Sequence, residues 1–219
     1  MRLLQQGIEA PFHHGYIAVA LTVGDKKIGV VVTHLSPHEP VRRFEEAVAL
    51  SELARKLADD IDVVFLLGDL NQLSPHDAQA HGHDEMLHHM RTSSRVRSGH
   101  DLAVLRRKFL SPLDEIDYRP MRQLTQAAGL VDLGVVAADY AVEIKPSNGP
   151  AAMQVARTTV PTDFRPDMLH AFSMRLDYIL CTPSILNISH KARFTTVVDE
   201  VTRTCSDHYP VEAELDFES

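Results

Sequence analysis

The stretch Val63-Val64-Phe65-Leu66-Leu67-Gly68-Asp69-Leu70-Asn71 constrains this chain more than any other. An unbroken apolar run rich in Val and Phe predicts a strand buried on both faces, and the Gly-Asp-Leu-Asn that closes it marks the strand's C-terminal end. Side chains two apart on an extended backbone share a face. Asp69 and Asn71 are therefore presented together, at the place where open α/β sheets bind ligands. A carboxylate and a carboxamide there suit a hard cation, an attacking water or a phosphoryl oxygen. Taken alone, the motif fits a plain strand-to-turn exit equally well, since Gly, Asp and Asn all favour turns.

The surrounding pattern builds a sheet around that strand. Residues 16–23 and 28–35 flank the polar turn Gly24-Asp25-Lys26-Lys27 and predict a β-hairpin whose β-branched second strand is central. Ser36-Pro37-His38-Glu39-Pro40 breaks it, and Pro40 suits the first turn of a helix. Across residues 41–60, Val41, Phe44, Val48, Leu53 and Leu57 form an apolar stripe, with Arg42, Arg43, Glu45, Glu46, Glu52 and Lys56 mostly off it. Strand, helix, strand predicts a parallel pair with a right-handed crossover, which brings His34 and Asp69 to the same edge. Residues 118–128 read as a helix stopped by Gly129, 130–133 as an extended segment, and 174–181, 192–198 and 211–217 as strands. Residues 139–170, rich in Pro, Asn, Thr and Asp, read as a long functional loop. No repeat or domain boundary is visible, so one domain over residues 1–219 is expected.

Residues 72–117 differ in character and read as a histidine-rich insertion or lid with at most short helices. They carry His76, His81, His83, His88, His89 and His100, with Arg91, Arg95, Arg97, Arg106, Arg107 and Lys108. The histidines lack the i, i+4 spacing that puts two imidazoles on one helix face, and no Cys pair is near, so a solvated, pH-sensitive insertion is favoured over a zinc site. The basic residues read by default as a solvated face, with contact to a phosphate-bearing substrate as the alternative. A net charge of −8 over 219 residues argues against non-specific binding to a polyanion, though a local basic groove stays open. Only Cys181 and Cys205 are present, no apolar run spans a bilayer, and the N-terminus lacks a signal-peptide pattern. A cytoplasmic or nuclear location is expected.

Further polar clusters interrupt strand ends at Thr33-His34-Leu35, Leu176-Asp177-Tyr178 and Ser206-Asp207-His208. Singly, His34 reads as a surface histidine and Asp177 as a buried carboxylate paired with Arg175 or a backbone amide. Ser206, Asp207 and His208 cannot form a hydrolase triad among themselves, because consecutive side chains diverge.

In their order along the chain, Thr33-His34-Leu35, Gly68-Asp69-Leu70-Asn71, Arg175-Leu176-Asp177-Tyr178-Ile179 and Ser206-Asp207-His208-Tyr209-Pro210 resemble the signatures of the endonuclease/exonuclease/phosphatase superfamily. Thr159-Val160-Pro161-Thr162 resembles the family's segment ahead of the Asp-Tyr strand. The resemblance covers most of the chain from about Tyr16, apart from the histidine-rich segment. It implies an α/β, deoxyribonuclease-I-like two-sheet sandwich flanked by helices. It also implies roles: Asp207 as a ligand of Mg²⁺ or Mn²⁺, His208 beside the scissile phosphate, and Asp177 as the acid that orients His208. Asp69 positions or deprotonates the attacking water, Asn71 donates to the phosphoryl group or the nucleophile, and His34 binds phosphate oxygens.

Members of that family begin with a strand bearing Asn and then a Gln-Glu motif whose Glu is the principal metal ligand. Here residues 1–12 precede the hairpin, and Glu9 lacks the preceding Gln and the strand context, so it is not assigned as the ligand. An N-terminally incomplete domain is expected, with a weakened ion and an unpaired sheet edge that an N-terminal segment or a second chain completes. Two functions compete. One is a divalent-metal-dependent phosphoester hydrolase using in-line attack of an activated water. The other is a catalytically inactive domain of the same fold acting in binding or within a complex. Nucleic acid, phospholipid and inositol phosphate all remain open as substrate classes.

Overall fold

The computed structural model describes residues 1–92, 99–140, 159–160, 172 and 174–217, and in it the apolar run of the opening motif is a central strand. In chain order the larger sheet uses β1 (Arg2–Gly7), β2 (Tyr16–Val23), β3 (Lys26–Thr33), β4 (Val63–Asp69), β5 (Val131–Asp132) and β6 (Asp177–Cys181). Its spatial order is β1-β2-β3-β4-β6-β5. β3 and β4 are parallel, as the strand-helix-strand pattern predicts, and helix α1 (Pro40–Leu57) makes the crossover. β6 inserts antiparallel beside β4. A separate antiparallel pair, β7 (Ser189–Thr196) and β8 (Val211–Phe217), forms the second sheet.

The two faces of the large sheet have separate cores. One packs Ala18, Val31, Val64, Leu66, Tyr178 and Leu180 against Leu50, Leu53 and Ala54 of α1 and against Met121 and Leu124. The opposite face puts Ile28, Phe65, Ile179 and Cys181 against Phe194, Val211, Ala213, Leu215 and Phe217 of the small sheet and against Leu133. That cover stops short of the β1 side, where Leu3, Ile17 and Val32 remain about half exposed.

Several expectations are corrected. Residues 2–7 form an edge strand paired antiparallel with β2, although Leu3-Leu4-Gln5-Gln6 shows no alternation; the pairing comes from the neighbouring strand, not from local pattern. The buried stripe of α1 is Arg43, Glu46, Ala47, Leu50, Ser51, Leu53 and Ala54, while Val41 is 67% exposed. Charged groups occupy that stripe because the backbone satisfies them. Glu46 accepts hydrogen bonds from the His13 and Ser36 amides at 2.7 Å, and Arg43 donates to the Asn71 and Lys108 carbonyls. Beyond β5 the chain turns into helix α5 (Leu133–Tyr140), capped by Asp132 Oδ1 accepting from the Gly134 amide at 2.9 Å. The helix expected before Gly129 is α4 (Arg119–Arg122) continued by a π-helical stretch, Gln123–Ala127, and Gly129 ends it at φ +72°.

Residues 72–117 contain a short 3₁₀ turn (Pro75–Asp77), α2 (His83–Thr92) and α3 (Gly99–Phe109), with Met86, Met90, Leu105 and Phe109 in a third core shared with Val160, Phe172, Met174 and Leu176. His76 and His88 are exposed, but His81 and His83 are buried, against the expectation of a solvated segment. His83 Nδ1 lies 2.8 Å from the Tyr118 hydroxyl, and burial lowers its pKa to about 4, so it is neutral throughout the physiological range. Arg95, Arg97 and the His100 side chain, like Pro161, Thr162 and most of the loop expected over 139–170, lie outside the described residues. Among the described residues no helix is long and apolar enough to cross a membrane.

Candidate active site

Backbone geometry places the polar strand ends first. The Leu35 amide donates to the Asp69 carbonyl at 3.0 Å and the Leu70 amide to the Leu176 carbonyl at 2.9 Å, so three chain segments leave the sheet together. Gly68 makes this crowding tolerable. It sits at φ +136°, and a Cβ there would lie 1.9 Å from the Thr33 carbonyl oxygen. Asn71 follows at φ 48°, held by its own amide donating to Asp69 Oδ1 at 2.7 Å and by Nδ2 donating to the Leu35 carbonyl at 3.0 Å.

Asp69 and Asp177 are directly paired across β4 and β6. Like charges opposite one another in a ladder repel, so this pairing calls for positive charge nearby. Histidine ring nitrogens stand against both acids. His34 Nε2 stands 3.3 Å from Asp69 Oδ2, and His208 Nδ1 stands 2.7 Å from Asp177 Oδ2. Ligand atoms of Asp69, Asp177 and His208 all lie within 4.8 Å of one another. His34 also stacks on His14, ring centroids 4.3 Å apart, at the edge of an open cleft of about 830 Å³ lined by Gln5, Gln6, Glu9, Tyr16 and others.

The second side of the site hangs on Thr159. Its hydroxyl accepts from the Leu176 and Asp177 amides at 2.9 and 3.3 Å, and its carbonyl accepts from the Tyr209 amide at 2.7 Å. One buried threonine thus fixes both Asp177 and the residue after His208. Arg175 does not pair with Asp177. It is fully buried and donates to Asp77 Oδ2 at 2.7 Å and to both carboxylate oxygens of Asp132, at 3.0 and 2.5 Å. The Tyr178 hydroxyl donates toward the Gln72 and Arg175 carbonyls, each at 2.8 Å, tying β6 to the loop after Asn71.

These contacts set the charge states. For Asp69, burial alone would raise the pKa, but it is outweighed by hydrogen bonds from His34 and the Asn71 amide and by the charges of His208 and Lys108; the net shift is downward. For His208, burial would lower the pKa and is outweighed by the Asp177 hydrogen bond and the fields of Asp177, Asp69 and Asp207, so the net shift is upward. Asp69 is therefore a carboxylate at neutral pH, and His208 holds its proton more firmly than a free imidazole.

Of the residues singled out from the sequence, His34, Asp69, Asn71, Asp177 and His208 are joined in one network, with the exposed Asp207 acting electrostatically on His208 and Lys108. Asn71 is 2% exposed. Sequence reasoning passed over Arg43, whose guanidinium clamps the Asn71 carbonyl, and named Lys108 only within a basic run read by default as solvated, although its ammonium lies within electrostatic range of Asp69, Asp177 and Asp207. Both sit in helices crowded with other charged residues, and nothing local separates them from their solvated neighbours.

A family model described as the Endonuclease/Exonuclease/phosphatase family matches residues 3–208. No curated protein matches the sequence. The fold is similar to a 3'-5' exonuclease, NExo, from Neisseria meningitidis, with TM-score 0.51 and 20% identity over 91% of this chain and 65% of that one. It is similar to the 3' phosphatase NExo from Neisseria bound to a product DNA hairpin, with TM-score 0.52 and 22% identity over 91% and 65% of the two chains. Truncated TDP2 from Caenorhabditis elegans gives TM-score 0.52 and 15% identity over 99% and 67%. The chain thus spans 65% of the length of the first two of these.

Proposed function

The chain belongs to the endonuclease/exonuclease/phosphatase family, and from that premise we propose that it hydrolyses a phosphoester by in-line attack of water. The observation that carries this reading is the convergence of Asp69, Asp177 and His208 within 4.8 Å, from two strands and a loop distant in sequence. The two carboxylates, with Asp207 adjacent in the chain to His208, offer oxygen donors of the kind Mg²⁺ or Mn²⁺ takes. Asp207, with Asp69 and Asp177, would hold the ion; when bound, it neutralises charge that builds on the phosphoryl oxygens.

The chain's own groups supply the rest. Asp177 holds the His208 ring through Nδ1, which leaves Nε2 to donate a hydrogen bond to a phosphoryl oxygen. The ionised Asp69 accepts a hydrogen bond from the attacking water and orients its lone pair toward phosphorus. Asn71 gives one amide hydrogen to Leu35 and has a second for the phosphoryl group or the nucleophile. His34, half exposed and braced by His14, meets phosphate oxygens at the cleft edge. The DNA named for a structural neighbour makes nucleic acid the first substrate class to test.

The test is hydrolysis of bis(p-nitrophenyl) phosphate, p-nitrophenyl phosphate and 3'-phosphorylated and unmodified DNA oligonucleotides, with Mg²⁺ or Mn²⁺, by wild-type chain, Asp69→Asn and His208→Ala. Metal-dependent turnover lost in both variants is expected. No turnover of any substrate by the folded wild-type chain would favour the competing reading of a silent binding domain.

A further inference from the structure

We propose that Lys108 is a substrate-binding catalytic residue, its ammonium donating hydrogen bonds to the non-bridging oxygens of the phosphoryl group that Asp69, Asp177 and His208 surround. The assignment rests on the phosphoesterase reading and adds a residue to it from the segment that the sequence presents as an insertion.

Lys108 is 7% exposed, at the C-terminal end of α3. A lysine so enclosed ordinarily has an ion pair, yet among the described residues its ammonium has no hydrogen bond or ion pair and lies 5.3 Å from the centroid of the Phe109 ring. Burial lowers its pKa to about 8 and the Arg43 charge adds to that, while Asp69, Asp177 and Asp207 of the reaction centre oppose it, so the ammonium form still prevails at neutral pH. Its own charge in turn helps to keep Asp69 ionised.

The backbone at Lys108 is fixed to the centre by an independent contact. Arg43 is fully buried and donates through Nη1 to the carbonyl of Asn71 and through Nη2 to the carbonyl of Lys108. One guanidinium therefore sets the distance between the Asn71 loop and the end of α3, and planar two-point bonding leaves it little freedom. A stem packed in protein, with a donor-only head that has no ion pair of its own among the described residues and lies in the field of Asp69, Asp177 and Asp207, suits a phosphate-binding lysine. The three donors can hold oxygens of the phosphoryl group as charge grows on them, while the surrounding carboxylates are occupied by cation, water or His208.

The probe is inorganic phosphate. Its affinity is measured by calorimetry in the presence of Mn²⁺ for wild type, Lys108→Met, Lys108→Arg and the exposed control Lys56→Met, beside kcat and KM on bis(p-nitrophenyl) phosphate. Lys108→Met is expected to weaken phosphate binding and lower kcat, each roughly 10- to 100-fold, the loss of one charge-assisted hydrogen bond. Lys108→Arg should retain part of both, and Lys56→Met all of both. A second readout needs no substitution: phosphate should slow acetylation of Lys108 by acetic anhydride in the wild-type chain, followed by mass spectrometry.

Equal phosphate affinity in folded wild type and Lys108→Met, absence of phosphate binding, or no protection of Lys108 would each overturn the assignment. A wild-type chain that binds phosphate through Lys108 but turns over nothing would sink the hydrolase reading and with it the catalytic role, leaving Lys108 as a phosphate-binding residue alone. An active wild type matched by Lys108→Met would overturn the assignment and leave the hydrolase reading standing.

Discussion

Asp177 and His208, which come from a strand of the large sheet and from the loop entering β8, meet at 2.7 Å through Oδ2 and Nδ1. The contact fixes which imidazole nitrogen faces the reaction centre, so the two residues act as one unit. His208→Ala is expected to lower kcat about 10²- to 10⁴-fold, and Asp177→Asn about 10- to 100-fold. The double variant should be no slower than His208→Ala alone, since positioning an absent ring has no value. Losses that multiply would show the two residues working independently.

The same pair gives a pH signature. The folded-state pKa of His208 is raised, so the stability the pair contributes is fully present below the ordinary histidine value of 6.5 and is lost as pH rises through the folded value. NMR titration should find the His208 ring above 6.5 in the wild type and shifted down in Asp177→Asn. The difference in urea midpoint between the two should narrow with rising pH through that window. A pair whose contribution grew with pH would contradict the assigned direction.

Arg175 tests the scaffold behind the site. It holds Asp77 and Asp132 at 0% exposure, so Arg175→Met leaves two buried carboxylates without their cation and should cost about 3–5 kcal/mol in urea unfolding. Adding Asp132→Asn to Arg175→Met should recover part of the loss, because one of the stranded charges is then gone. Arg175→Lys should also be strongly destabilising, since an ammonium cannot reproduce the bidentate contact with Asp132.

Gly68→Ala puts a methyl group into the Thr33 carbonyl at a backbone conformation that disfavours side chains. The expected cost is at least about 2 kcal/mol in unfolding free energy. Activity should fall further than stability alone explains, because Asp69 is the next residue. Gly24→Ala, at φ +61° with nothing within 4 Å of the added Cβ, has neither the clash nor the glycine-only backbone of Gly68 and should cost less.

Chelation with EDTA should abolish hydrolysis, and Mn²⁺ or Mg²⁺ should restore it. Asp207→Ala should raise the metal concentration needed for half-maximal activity, while the urea midpoint stays near the wild type because Asp207 is exposed. Hydrolysis that survives exhaustive chelation would remove the ion from the reaction.

Much of this site is visible in the sequence because strand ends announce themselves. The β2 limits, the parallel β3–β4 pair and the meeting of His34 with Asp69 follow from local alternation and a single crossover, whereas β3 spans Lys26–Thr33 and not 28–35, because Lys26 and Lys27 pair with Val23 and Thr22 across a tighter turn. Residues whose surroundings are assembled from distant segments are not visible in that way. Arg43 and Glu46 look like outer-face residues until the Asn71, Lys108, Ser36 and His13 backbones satisfy them. His83 reads as solvated until Tyr118 and the core beneath α2 enclose it, and β1 exists only because β2 offers an edge. Nothing local separates Lys108 from the rest of its basic run, because what distinguishes it is the field of carboxylates on β4, on β6 and in the loop before β8.

Because Asp69 and Asp177 oppose one another in an antiparallel ladder, their separation is a property of strand alignment and not of any loop. Slipping either strand by one residue would turn its acid to the far side of the sheet. The segments that vary freely around such a centre can lengthen, shorten or change sequence without moving the two carboxylates, whereas a single inserted residue within β4 or β6 would dismantle the pair at a stroke.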